Sequence, residues 1–507
     1  MKGASVMNPI ERMARHLAHG VLGACTALAC APARPPLPPA PAPLSAEQLE
    51  PWAHPPPLAP EEGASDFQLS IQRAKLPNGV GVTLAVREGA ASSLQLWLPE
   101  ARDRGQGAVT AMVNSLRAGT RDGTKEPFYN PRIALVPIGA WTDAVGTTLY
   151  WRVPQRGTQQ ALSLLGAYVR DPLFDPDEVQ LQLQQQVAAI KLASEPVNQL
   201  APLARSAFPG LERPTYEQDA RQMFHLPAQK LRQIHRCTMQ PANAELVVVG
   251  PVAFDSLLAW ATSALGSWRA DPAATAEACA EWLTPAFPEH PDQARLDRPL
   301  LTVIYGMRGD PRIAIDVPGP PIDSPDYHPF ELLSLLLEEH AGGSAKALRH
   351  AGATYGIRTS SYDRFARLSL LEIRGQIDPE QLQGALRSLI EDIHGLGSRL
   401  DAAELDAVKR RWRTQLIDSW QRSDALAGAL QWTLRSGHEP ADLLKVFDEV
   451  QQIDLARFRE VAERYLSNAN PSIVVTGYAP NFIRGLALDA EVRQVRWSDE
   501  LKEHKKL

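Results

Sequence analysis

The sequence predicts an α+β fold: two homologous α/β-sandwich domains behind an N-terminal signal and a proline-rich linker. Three observations predict it. Short β-branched runs alternate with longer helical stretches, the pattern of sheets covered by helices. A set of these elements recurs 227 positions further on. And 12 of the 43 prolines crowd into residues 31–60, which separates an extended segment from the folding part. At 507 residues, with 44% hydrophobic and 22% charged, the chain is long enough for two or three domains with real cores. The net charge of −6 leaves no basic excess to neutralise a phosphate backbone, so nucleic acid is excluded as the main partner. No apolar run approaches the roughly 20 residues that span a bilayer.

Residues 1–30 read as a lipoprotein-like signal peptide. Lys2, Arg12 and Arg15 precede an apolar stretch from Leu17 to Cys30, the secretory order of a basic region and then a short apolar core. Small residues run into cysteine twice, as Leu22-Gly-Ala-Cys25 and Ala27-Leu-Ala-Cys30. That resembles a bacterial lipoprotein signal, whose cysteine becomes the acylated first residue. Cys25 or Cys30 is therefore the expected lipidation site, and the expected location is the cell envelope or periplasm of a bacterium, with a lipid anchor in the membrane. Residues 31–65 form the linker: a run such as Pro35-Pro-Leu-Pro-Pro39 cannot build ladders and stays extended at about 3 Å per residue.

The first folded domain is expected over 66–270. Leu76-Pro-Asn-Gly79 is a turn between two strand-like runs, Phe67–Ile71 and Val80–Val86. Ser93–Leu98 alternates cleanly as a strand, a helix follows over about Gly105–Arg117, and Thr147–Val153 is again β-branched and aromatic. Helices are expected near 158–169 and 177–194, and Ala244–Val249 closes the unit as a buried strand. After a connector at 271–297, rich in alanine, proline and charge, the second domain (298–482) repeats this grammar, and 483–507 is left as a C-terminal tail. Ser472–Thr476 matches the closing strand at the 227-residue offset. The same offset puts the first helix on Phe330–Glu339 and the 177–194 helix on Ala403–Trp420. Of the four cysteines, Cys237 and Cys279 lie in the folding part; their pairing is left open.

Residues 66–482 resemble the pitrilysin/insulinase family of zinc metallopeptidases, the inverzincins, whose domains are of the LuxS/MPP-like type. The segments that carry the resemblance are Leu76-Pro-Asn-Gly79, Gly107 through Gly119-Thr120, Gly139-Ala140 and Pro241-Ala-Asn-Ala-Glu-Leu-Val-Val-Val-Gly250, then Ser324-Pro-Asp326, Gly342-Gly343, Leu348-Arg349 through Tyr355-Gly356 and the helix start at Glu404-Leu405. The family motif, H-x-x-E-H within G-x-x-H-x-x-E-H-x-x-x-x-G-T, meets Gly107-Ala-Val-Thr110-Ala-Met-Val113-Asn114-Ser-Leu-Arg-Ala-Gly119-Thr120. The glycine frame is kept. Thr110 and Asn114 replace the two histidines, and Val113 replaces the glutamate.

Two histidines at i and i+4 share one face of a helix and one zinc; a hydroxyl and an amide are poor ligands for it. Without the ion, water keeps a pKa near about 15.7 rather than about 7, and without the glutamate nothing takes its proton. The third ligand, a glutamate in the family, should fall in Gln182–Ala189, where no carboxylate occurs. No metal is expected in this chain. His225 and His235 near Cys237, and Glu338-Glu339-His340, lack zinc spacing and read as solvated or capping residues.

The resemblance implies that Arg349 and Tyr355, behind the glycine-rich Gly342-Gly343, reach the substrate: the tyrosine hydroxyl at a developing oxyanion, the arginine at a carbonyl. Family chambers enclose peptide substrate with four such units, so a two-unit chain needs a second subunit. A chain without the motif that keeps Arg349 and Tyr355 looks like the non-catalytic subunit of a heterodimeric peptidase, with zinc held by a partner that carries H-x-x-E-H. Peptide is expected as an added strand on a sheet edge, at Leu94–Leu98 or the Gly139–Thr147 region. The family usually has asparagine near Asp143. The competing reading is an envelope peptide-binding or scaffold protein without proteolysis. No G-x-S-x-G elbow, P-loop or G-x-G-x-x-G fingerprint supports an unrelated chemistry.

Overall fold

A computed structural model of the chain describes residues 69–89, 91–101, 108–116, 119–120, 139–143, 146–193, 200, 203–208, 226–280, 295–305, 311–321, 324–339, 361–363, 368–476 and 490–496. Met1–Phe67 and Gln68–Leu507 are separate units; the fold below is that of the second.

The first half contains β1 (Ile71–Lys75), β2 (Gly81–Val86), β3 (Ala91–Leu98), α1 (Ala108–Ser115), β4 (Gly139–Asp143), β5 (Gly146–Pro154), α2 (Thr158–Arg170), α3 (Pro176–Ala193), α4 (Ala228–Thr238), β6 (Glu245–Gly250) and α5 (Phe254–Leu265). The expected strand at Phe67–Ile71 lies instead at Ile71–Lys75. The turn dictates this shift. Gly79, at φ +98°, and the Leu76 N–H to Val80 carbonyl bond of 2.8 Å close a hairpin so tight that the residues just before Leu76 must pair. In that pairing Lys75 stands opposite Gly81 and Ile71 opposite Ala85.

The second half contains β7 (Leu300–Tyr305), β8 (Arg312–Pro321), α6 (Tyr327–Glu339), β9 (Ser361–Asp363), β10 (Leu368–Gln376), α7 (Leu382–Arg399), α8 (Ala402–Trp420), α9 (Ser423–Arg435), α10 (Lys445–Gln452), α11 (Leu455–Ala462), β11 (Ser472–Thr476) and β12 (Glu491–Arg496). A capping box starts α8: Asp401 accepts from the Glu404 N–H at 2.8 Å, and the Glu404 carboxylate accepts from the Asp401 N–H at 3.2 Å.

Each half builds one six-stranded sheet. The orders are β1-β2-β6-β3-β5-β4 and β12-β7-β11-β8-β10-β9. Position by position the inner strands share one topology, with a parallel pair (β2–β6, β7–β11) next to an antiparallel one (β6–β3, β11–β8). The edge differs: β1 pairs antiparallel with β2, whereas β12 runs parallel to β7. Residues 483–507, expected as a tail, thus supply a strand. Its Glu491-Val-Arg-Gln-Val-Arg496 alternation is short and charged, which suits an exposed edge. The 227-residue offset holds for β6 and β11 and for α3 and α8; loop lengths shift it elsewhere, by eight residues between β2 and β7.

Helices cover one face of each sheet, and the apolar side chains between them form two cores. Leu94, Leu96 and Leu98 of β3 join α1, α2, α4 and α5 in the first. Ile313, Ile315 and Val317 of β8 join α6, α7, α8 and α11 in the second. Gly166 lets α2 approach α5, since a Cβ there would lie 2.3 Å from the Ala264 carbonyl oxygen.

The other face of each sheet is covered by the opposite half. Helix α9 buries Leu426, Ala427, Leu430, Gln431 and Leu434 against β3 and β6. In return, Leu200 and Ala204 pack on Ile304, Ala314 and Val474 of the second sheet. Leu200 and Ala427, and likewise Ala204 and Gln431, stand 227 residues apart, so the exchange obeys the internal repeat. Polar pins fix both contacts. Thr148 donates to Gln431 at 2.9 Å and Gln95 to the Asp424 carbonyl at 3.1 Å. Across the second sheet Arg205 pairs with Glu372, and Arg374 pairs with Asp316 and, at 3.2 Å, with Glu372. Asp316 is wholly buried, and that burial pushes its pKa up to about 6 despite Arg374.

Candidate functional site

Helix α1 carries the position of the degenerate motif. It packs against α3, α4 and β4, so one side faces the core and the other the β4 edge. Ala108, Val109, Ala111, Met112 and Val113 are buried, while Thr110 and Asn114, one turn apart, share a half-buried side. Val113, 4% exposed, belongs to the hydrophobic core. The glutamate position has thus become a packing position, and the two histidine positions a neutral polar strip.

On α3, the segment expected to hold a third ligand presents Leu183 and Val187 to the core. Gln186 lies beside them, with both amide atoms buried and without hydrogen-bond partners. At the motif positions of α1 and over residues 182–189 of α3, the polar side chains are therefore hydroxyls and amides alone. Zinc does not fit such a set: it lacks the imidazole and carboxylate donors that hold the ion. Among the described residues, no three His, Cys, Asp or Glu come together in a way that could hold a metal.

The remaining expected residues divide. Arg349, Tyr355, Gly342, Gly343, Cys25, Cys30, His225 and His340 lie outside the described residues. Of the two strands expected to receive peptide, Leu94–Leu98 is an interior strand, bonded on one side to β6 and on the other to β5. It has no free edge, and that expectation is corrected. Its alternation reflects two different faces: Leu94, Leu96 and Leu98 enter the core, while Gln95 on the other face meets α9 through a hydrogen bond to the Asp424 carbonyl. Strand β4, which ends at Asp143, is the outer strand of its sheet. Gly139 on it lies under the Tyr150 ring, and Trp141 packs on the same ring at 5.2 Å.

His235, expected to be a solvated or a capping residue, is not solvated: it is 8% exposed, and burial pushes its pKa down to about 4. It packs edge-on against Phe174, two residues from a disulfide that sequence reasoning had left open: Cys237–Cys279, Cα–Cα 5.4 Å. The bond ties the start of the expected connector to α4. No signal in the spacing of 42 residues marks it.

A family model described as the Peptidase M16 inactive domain matches residues 225–411. Solved structures share the architecture. A protease from Helicobacter pylori superposes with a TM-score of 0.67 at 16% identity, over 81% of this chain and all of that one. The peptidase M16 inactive domain from Pseudomonas fluorescens gives 0.67 at 17% identity, over 81% and 98%. The chain has the M16 peptidase fold, and its residues 225–411 match the model of that family's inactive domain. The periplasmic protease PqqL from Escherichia coli gives 0.64 at 16% identity over 87% of this chain, but over only 50% of PqqL. The first half of PqqL alone is covered to 94%, with a TM-score of 0.63. No curated protein matches the chain. The M16 fold of this chain is thus one half-length unit, with neutral residues at the metal-motif positions.

Proposed function

We propose that this chain is the non-catalytic subunit of a heterodimeric M16 peptidase of the bacterial envelope. The observation that carries the reading is a complete two-sheet unit, half the length of PqqL, whose motif helix bears Thr110, Val113 and Asn114. The partner is a chain of similar size that carries H-x-x-E-H and holds the zinc. This chain closes the substrate chamber. Strand β4, the outer strand of its sheet among the described residues, is where a peptide strand would add. Arg349 anchors a peptide carbonyl, and the Tyr355 hydroxyl donates to the oxyanion that develops at the partner's site. The buried Cys237–Cys279 bond favours an oxidising compartment, and Cys25 or Cys30 supplies the lipid anchor. No helix among the described residues is long and apolar enough to cross a membrane.

The test is affinity purification of the tagged chain from its native envelope, with mass spectrometry of what co-elutes. A stoichiometric partner bearing H-x-x-E-H is expected. Arg349→Ala and Tyr355→Phe should then slow peptide cleavage by the complex by about 10²-fold or more, the usual loss when an oxyanion donor is removed. A chain that elutes alone or as a homodimer overturns the reading and leaves a peptide-binding scaffold in its place.

A further inference from the structure

We infer that Tyr150 and Trp141 form a side-chain subsite beside β4 that selects peptides carrying an aromatic or large aliphatic residue. The inference rests on the added-strand reading above and names which strands are taken. Ala140 packs on the first core, so its neighbours Gly139 and Trp141 belong to the opposite face of the sheet. In register, Gly139 stands opposite Tyr150 and Trp141 opposite Thr148. Tyr150 rises on that same face and leans outward across β4. A Cβ on Gly139 would collide with the Cζ and hydroxyl of that ring, so glycine is what lets it lie there. The ring takes the place a side chain at 139 would fill, and Trp141 packs on it at 5.2 Å with the planes tilted by 33°.

The cover over this face stops short of the pair. Helix α9 lies over β3 and β6, and its Gln431 reaches out to Thr148 on β5. The Arg435 guanidinium sits between two indoles, 5.6 Å from Trp97 and 5.3 Å from Trp432, and fills the layer above β3. Beyond these residues Tyr150 is 37% exposed, the one aromatic ring left so open among the described residues. A strand added to β4 continues the pleat. Its residue opposite Gly139 therefore rises on this face, about 5 Å away, with the Tyr150 ring standing as its cross-strand neighbour and Trp141 on the diagonal. What the ring leaves to water there is largely apolar surface. Phenylalanine or leucine covers it and needs no hydration of its own. Alanine is too short to cover it, and lysine brings an ammonium that must keep its water.

Isothermal titration of the full chain with three end-blocked, eleven-residue threonine peptides tests this, with phenylalanine, alanine or lysine at the centre. A uniform threonine frame can slide along β4, so the central residue finds its place. The phenylalanine peptide should bind at least about 10-fold more tightly than the alanine peptide, and lysine no better than alanine. Tyr150→Ala, checked for an unchanged melting transition, should bring phenylalanine and alanine within about 2-fold of each other. Gly139→Ala, whose methyl pushes the ring aside, should do the same without removing it. Equal affinity for the phenylalanine and alanine peptides, a preference for lysine, or a Tyr150→Ala variant with the wild-type preference would overturn the subsite and leave the added strand standing. No saturable binding of any of the three would overturn the added-strand reading itself, and the subsite with it.

Discussion

The two halves share one topology and solve the same two fixing problems with different chemistry. Where the exchanged helix meets the sheet, the first half uses a neutral pin, Thr148 to Gln431, and the second a charged quartet, Asp316, Glu372, Arg205 and Arg374. Where the last helix before the closing strand is held, the first half uses the Cys237–Cys279 bond. The second uses Asp326, which accepts from Arg464 at 2.6 Å and Tyr465 at 3.0 Å and pairs with Arg457. The lesson is that the repeat conserves where a constraint is needed and leaves open what supplies it.

The comparison breaks most readily at the charged quartet. Arg374→Ala strands the buried Asp316 carboxylate and should cost about 3–5 kcal/mol, read as a fall in the urea midpoint at constant slope. A loss below about 1 kcal/mol would mean that the quartet is as weak as a surface pair. At the other staple, Cys237→Ser/Cys279→Ser opens a loop of 42 residues and should cost about 2–4 kcal/mol. Adding reductant to the wild type should reproduce that loss and leave the variant unchanged.

Acid separates the halves by sign. His235 titrates near 4 in the fold and about 6.5 when unfolded, so its contribution is full above pH 6.5 and is lost as pH falls to 4. Asp316 titrates at about 6 in the fold against 3.8 unfolded. Its ionised form is therefore a burden above pH 6, and stability is regained as pH falls toward 3.8. Each window is worth about 3 kcal/mol, and between pH 6 and 4 they oppose one another. Denaturant midpoints from pH 7 to 4 should show His235→Phe gaining, relative to wild type, as acid is added, and Asp316→Asn losing. Parallel profiles for all three proteins would refute the opposition.

Much of this fold was legible because it rests on local patterns. The closing strands Glu245–Gly250 and Ser472–Thr476 are built on the β-branched runs Val247–Val249 and Ile473–Thr476, and α2, α3 and α8 have the length and spacing of core helices. What was missed depends on partners distant in sequence. His235 sits among lysine, arginine and glutamine, which hide that it falls on the buried side of α4 with Leu231 and Ile234. Asp316, inside Ile313–Val317, carries no hint of Arg374 until the two strands pair. Strand β12 adds a parallel edge that nothing local announces. The degenerate motif was legible in its chemistry, whereas Gln186 became distinct only when α3 buried its amide.

The smallest expected effect tests whether the neutral pin is a pin at all. Thr148 and Gln431 are both buried, and Gln431 Nε2 has no partner even now. Thr148→Val removes the hydroxyl and leaves the whole amide unpaired, at a cost of about 1–2 kcal/mol. Adding Gln431→Leu should recover most of it, because an apolar pair of similar volume needs no partner in that layer. The analogous double replacement in the second half, Glu372→Leu/Arg205→Leu, should not recover, since it strips Arg374 and Asp316 of their neighbours in the same network. Equal recovery in both halves would show that the charged and neutral pins are interchangeable, and that the difference between the halves is one of sequence history rather than of mechanics.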